Sequence, residues 1–136
     1  MFQTTLRLRP YARGFHLITD AIENALQGCI LKSGIVHVFI KHTSASLTIN
    51  ENADPSVRTD MEVFFKESCD DKGYFIHTYE GDDDMPAHLK GSLLGSSVTI
   101  PLTEGRLNLG IWQGVYLGEH RDHASGREIV ITVVGR

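Results

Sequence analysis

The sequence predicts an α+β fold, a compact β-sandwich of largely antiparallel strands with two or three short helices. Three observations predict it. Many short segments carry the period-two alternation or the β-branched and aromatic density of strands. Helix start signals are few. The four prolines and 13 glycines are scattered as punctuation, with no linker, repeat or low-complexity tract. Many strands and few helices place the helices on the side or ends of a largely antiparallel sheet or sandwich.

The elements follow in order. Residues 3–9 alternate strictly, and a short strand follows at 14–19. Asp20 is positioned to cap a helix running to Leu26, with Gly28 just beyond its end. Segments 35–43 and 46–50 read as strands. Asp54 before Pro55 is a stronger helix start, a capping acid with proline at the first helical position. That helix is expected through Val57, Met61, Phe64 and Phe65 to about Ser68. A third is expected from Asp84 and Pro86 to Gly95, with Leu89 stacked on Leu93. Strands close the chain at 97–102, 106–109, 114–120 and 128–134.

Composition excludes several functions. The 136 residues suit one domain, read as 1–136. A hydrophobic fraction of 41% argues against disorder. The net charge of −4 is a poor match to a phosphate backbone, so nucleic acid is not an expected partner. No apolar run approaches the roughly 20 residues that span a bilayer. The N-terminus has no charged and then apolar signal segment. Cys29 and Cys69 form no CxxC, which reads as a reduced, cytoplasmic pair. No GxGxxG, GKS or GxSxG motif is present, so nucleotide-loop and α/β-hydrolase readings fail.

Seven histidines are a rich supply of metal ligands and of acid/base groups. Strand period ranks them. Val36, Val38 and Ile40 share a face that ends in His42, while His37, Phe39 and Lys41 lie opposite. Val115 and Leu117 share a face that ends in Glu119, with Tyr116 and His120 opposite. Two titratable groups ending apolar stripes either converge on one cavity or point into water as edge positions. Segment 77–88 is the densest chemistry, with His77, Glu80, Asp82, Asp83, Asp84 and His88. Its aspartates suit a hard cation such as Mg²⁺, or an acidic loop capping the helix at Asp84. His77 and His88 with His42 make a three-nitrogen set. Glu119 is then a fourth ligand or a general base, and the set suits Zn²⁺ or a similar ion. Thr43, Ser44 and Ser46 offer hydroxyls to an anion, or to the turn's own backbone. Arg106, Arg121 and Arg127 offer bidentate phosphate contacts, or are ordinary sheet arginines. Trp112 and Gln113 occupy a glycine-bounded turn, and Cys69 reads as packing.

Three blocks, HTSASLTINENADP (42–55), YEGDDDMPAHLKGSLLG (79–95) and GRLNLGIWQGVYLGEHR (105–121), resemble the YjbQ-like family, secondary thiamine-phosphate synthase enzymes. The likeness runs nearly end to end, from RPYARGFH (9–16) to the closing VVGR. The resemblance implies a homotrimer with weak thiamine-phosphate synthase activity. That reaction joins a pyrimidine methyl pyrophosphate to a thiazole phosphate with release of pyrophosphate. The family's recurring polar positions fall here on His42, His77, His88, Glu119, Asn52, Asp54 and Asp60. Taken with the stripe and loop argument, these positions make His42, Glu119 and His88 the expected catalytic groups, with His42, His77, His88 and Glu119 as expected metal ligands. Arg121 and Ser44 are the expected contacts to a small phosphorylated substrate. A non-catalytic metal- or ligand-binding trimer and a metal-dependent phosphoester hydrolase remain alternatives.

Overall fold

A computed structural model describes all residues, 1–136. Eight strands form two sheets, and every ladder pairs antiparallel. The larger sheet has the order β1-β8-β3-β5-β6 and the smaller β2-β7-β4. These are β1 (Phe2–Leu8), β2 (Gly14–Leu17), β3 (Ser33–Ile40), β4 (Ala45–Glu51), β5 (Ser97–Thr103), β6 (Arg106–Leu107), β7 (Gln113–Glu119) and β8 (Arg127–Gly135). Val36, Val38 and Ile40 of β3, Ile100 of β5 and Ile129, Ile131 and Val133 of β8 line one wall of the core. Ala45 and Leu47 of β4 and Val115 and Leu117 of β7 line the other. Each set is what one face of a pleated strand supplies. No helix is long and apolar enough to cross a membrane.

Three helices, α1 (Thr19–Ala25), α2 (Pro55–Cys69) and α3 (Asp84–Leu94), complete the fold. At α2 the Asp54 carboxylate accepts from the Ser56 amide at 2.9 Å, as the Asp-Pro signal requires. Two helix expectations are corrected. Asp20 lies inside the first turn of α1, and Ile18 occupies the cap without a side-chain bond. The start of α3 is capped by residue Asp83, again without a side-chain bond, because that carboxylate is drawn to Arg121.

Which face of α3 turns inward also differs from the Leu89–Leu93 expectation. Leu93 is 69% exposed, whereas Ala87 and Lys90 are buried. The helix is set by Gly91. A Cβ there would stand 3.2 Å from the Thr43 carbonyl oxygen and 3.3 Å from that of Ala45. A side chain there would force the helix or the turn before β4 to give by a few tenths of an ångström, and glycine spares that shift. The strand β7 departs from alternation, since 114–120 is buried on both faces. It is the central strand of the small sheet, with the core on one side and α2 covering the other through the Phe15–Phe65 contact.

Candidate metal centre

The loop between α2 and α3 brings His77 back onto the first turn of α3. Gly81, at φ +108°, makes the turn that places Asp83 and Asp84. Asp84 and His88 are four positions apart, so both occupy one face of the helix. His77 Nε2 lies 2.8 Å from Asp84 Oδ2, and His88 Nε2 lies 3.1 Å from that same oxygen. One ligand atom from each of the three residues falls within 4.8 Å of the other two.

Hydrogen bonds fix what those atoms can do. His88 Nδ1 is 2.9 Å from the Thr43 carbonyl oxygen, which only accepts, so Nδ1 carries the proton. In the neutral ring Nε2 is then a lone pair facing a carboxylate oxygen. Such a pair is stable when a cation, a proton or a metal ion, stands between the two. His77 can donate to that oxygen; neutral His88 cannot. The outer contacts resemble those that orient metal-binding residues. An imidazole N–H donates to a backbone carbonyl, and the remaining carboxylate oxygen is clamped. The clamp is Arg121. Its Nη1 donates to Asp84 Oδ1 at 2.7 Å, its Nε to Asp83 Oδ2 at 2.9 Å and its Nη2 to the Glu80 carbonyl at 2.7 Å. Burial pushes the Asp84 carboxyl up, but the His77 bond and nearby positive charge, that of Arg121 included, more than offset it and hold it below the usual range. Two imidazoles and a carboxylate fit Zn²⁺ or another imidazole-preferring ion better than Mg²⁺, which takes oxygen ligands.

A polar cleft of about 560 Å³ opens beside His88. Its wall includes His42, Thr43, Ser92 and Ser96. His42 and His88 therefore share one hollow, as the end of the β3 stripe suggested, but His42 stands outside the three-residue cluster. Its Nε2 accepts the Glu128 amide at 2.8 Å.

The expected roles of Glu119, Arg121 and Ser44 meet a different geometry. Glu119 is wholly buried, with Oε1 at 2.8 Å from Arg127 Nε and Oε2 at 2.6 Å from Arg127 Nη2. Both oxygens are occupied, so Glu119 has neither a free ligand atom nor a proton-accepting position facing the cleft. Arg121 spends its fork on Asp83, Asp84 and the Glu80 carbonyl rather than on a phosphate. Ser44 is buried, and its carbonyl accepts from Arg127 at 3.2 Å. Asp82 is exposed while Asp83 and Asp84 turn to Arg121, so the three aspartates do not converge on one ion. Asn52 ties down the 111–113 turn through two carbonyls, and Asp60 is exposed.

Sequence reasoning placed Asp84 as a helix cap and missed it as the hub. The signal was present in the acid and histidine spaced i, i+4 at the head of a helix. It also missed the sealed polar layer behind α3. There Lys90 Nζ sits 2.8 Å from Asp70 Oδ1, off the axis of a well-aligned hydrogen bond, and Asp70 Oδ2 pairs with Arg13 at 2.6 Å. Ser46 Oγ and His120 Nε2 are hydrogen-bonded at 2.8 Å beneath it.

An α+β sandwich with two histidines and a carboxylate gathered at the head of one helix defines the class. The profile of the family described as UPF0047 protein YjbQ-like matches residues 4–136, and the chain belongs to that family. It is 50% identical over 135 residues to the UPF0047 protein YjbQ of Escherichia coli O157:H7, covering 98% of each chain. It is 42% identical to a UPF0047 protein of Synechocystis, covering 98% of this chain and 91% of that one. Among solved structures, a YbjQ-like protein of unknown function from Sulfolobus solfataricus superposes with a TM-score of 0.89 at 26% identity, covering 99% and 97% of the two chains. A conserved hypothetical protein from Thermus thermophilus gives a TM-score of 0.84 at 34% identity, covering 96% and 99%.

Proposed function

We propose that the protein is a small cation-dependent enzyme that binds a phosphorylated substrate in the cleft beside His88, with His77, Asp84 and His88 holding a divalent ion of the Zn²⁺ type. The observation that carries this reading is the His88 Nε2 lone pair, fixed by the Thr43 carbonyl and aimed at Asp84 Oδ2. The bound ion would supply charge neutralisation for a leaving pyrophosphate. The side chains do the rest. Arg121 keeps Asp84 in one orientation, Thr43 keeps the His88 lone pair inward, and the cleft orders the substrate against both. The reaction favoured by the family resemblance is formation of thiamine phosphate. A C–N bond forms between a pyrimidine methyl carbon and a thiazole nitrogen as the C–O bond to pyrophosphate breaks. We read this as a side activity of a site built for a related phosphorylated substrate.

Assembly as a homotrimer in the cytoplasm belongs to the same proposal. Ile76 and Tyr79, on the loop that carries His77, are 92% and 96% exposed, which suits a face covered by a second copy. Light scattering at micromolar concentration is expected to give three times the 15.1 kDa chain mass.

Calorimetric titration of the chelator-treated protein with Zn²⁺ tests the centre. One ion per chain is expected, and Asp84→Asn should lose more than the roughly 10–100-fold in affinity that removal of an outer partner costs. Unchanged affinity in Asp84→Asn overturns the site. A bound ion with no turnover of pyrimidine methyl pyrophosphate would make the protein a metal-binding module, and turnover of simple phosphoesters instead would make it a hydrolase.

A further inference from the structure

We propose that His42 is a neutral hydrogen-bond donor that contacts the uncharged, heterocyclic end of the substrate through Nδ1–H, and that it neither ligates the ion nor takes up or gives away a proton. This rests on the reading of the cleft as a substrate site beside the ion.

A backbone N–H can only donate. The 2.8 Å contact from the Glu128 amide therefore makes Nε2 of His42 the acceptor and leaves the ring proton on Nδ1. Charging the ring would require a proton on Nε2 and would break that bond. Burial, and then the Arg127 charge, lower the ring's pKa and keep it neutral. Nδ1 has no bond within the chain, and the ring lines the cleft that His88 also lines.

What Nδ1–H meets follows from the charges around it. Arg127 is matched by Glu119 at 2.6 Å, and Lys41 by Glu128 at 3.5 Å. No unpaired cation is left there to attract a phosphate. The last turn of α3 lines this same part of the cleft through Gly91, Ser92 and Gly95, and a helix C-terminus carries partial negative charge. Both features disfavour an anion and suit an uncharged acceptor such as a ring nitrogen. The substrate's phosphates then belong at the other side of His88, against the ion. The proposed substrate thus runs from the ion at the head of α3, past His88, to a heterocycle-binding end at the tail of that helix.

The test uses the full chain labelled with ¹⁵N-histidine at neutral pH, with ring signals assigned. His42 is expected with Nδ1 protonated and Nε2 as a pyridine-type nitrogen. Zn²⁺ alone is expected to move His77 and His88 and leave His42 in place. A free aminopyrimidine without phosphate is expected to shift the His42 Nδ1–H, and inorganic pyrophosphate with Zn²⁺ is not. His42→Phe should weaken aminopyrimidine binding about two- to tenfold, the range of one neutral hydrogen bond. His42→Asn, which keeps an N–H near the Nδ1 position, should recover most of it. The proposal is overturned by a charged or Nε2-protonated ring, by a His42 response to Zn²⁺ or pyrophosphate, or by no response to the aminopyrimidine. If Zn²⁺ fails to move His77 and His88, it is the ion site that falls; the His42 tautomer is read independently of it.

Discussion

Glu119 and Asp84 are both sealed carboxylates, 0% and 1% exposed, and each is held by an arginine. They nonetheless offer opposite chemistry. Arg127 grips both oxygens of Glu119, so that pair is closed upon itself at the end of the sandwich. Arg121 grips only Oδ1 of Asp84 and leaves Oδ2 to the imidazoles of His77 and His88. Burial alone does not separate a structural acid from a functional one. The oxygen left over after the arginine has bound does.

That contrast breaks most visibly at Arg127. Arg127→Met strands the Glu119 charge in the core, and a loss of about 3–5 kcal/mol is expected from urea unfolding. A loss under ~1 kcal/mol would mean that the pair is not sealed. Arg121→Met acts on the other side of the comparison. It should lower Zn²⁺ affinity about 10–100-fold by freeing Asp84 to rotate, with a smaller loss of stability than Arg127→Met. Equal effects of the two substitutions on unfolding, with Zn²⁺ affinity unchanged, would erase the distinction. The effect that is smallest at neutral pH concerns the sealed layer. Burial above all, then the charges of Lys90, Arg13 and Arg127, holds the His120 ring at a pKa of about 3. The unfolded value is near ~6.5, so the neutral ring favours the fold above that pH. Stability is then lost as pH falls from about 6.5 toward 3, at up to ~1.4 kcal/mol per pH unit. His120→Gln should flatten this part of the acid limb, and an unchanged slope would place the titration elsewhere.

Much of the fold was legible because strand period and burial agree. The His42 stripe runs as expected, with Val36, Val38 and Ile40 buried and Phe39 outside. β7 was legible only in part because alternation assumes one wet face, and a central strand covered on both sides has none. The partner of Glu119 also left a trace in the sequence. Arg127 begins the inward stripe Arg127, Ile129, Ile131 and Val133 of β8, just as Glu119 ends that of β7. Pairing two stripe ends needs the strand order, and no local pattern supplies it. His77, Asp84 and His88 were visible as a dense segment, but their convergence depends on the path of a loop through Gly81. Lys90 gave no signal, since a lysine on a short helix ordinarily faces water.

The near contact of α3 with residues 43–45 reaches further than packing. The Thr43 carbonyl, which a side chain on Gly91 would crowd, is the same group that holds the proton on His88 Nδ1. The gap between one helix and one turn thus selects an imidazole tautomer. A single extra methyl group, placed where nothing reacts, would be felt as a change in which electron pair is offered to an ion. In this fold, backbone clearance and coordination chemistry are inherited together.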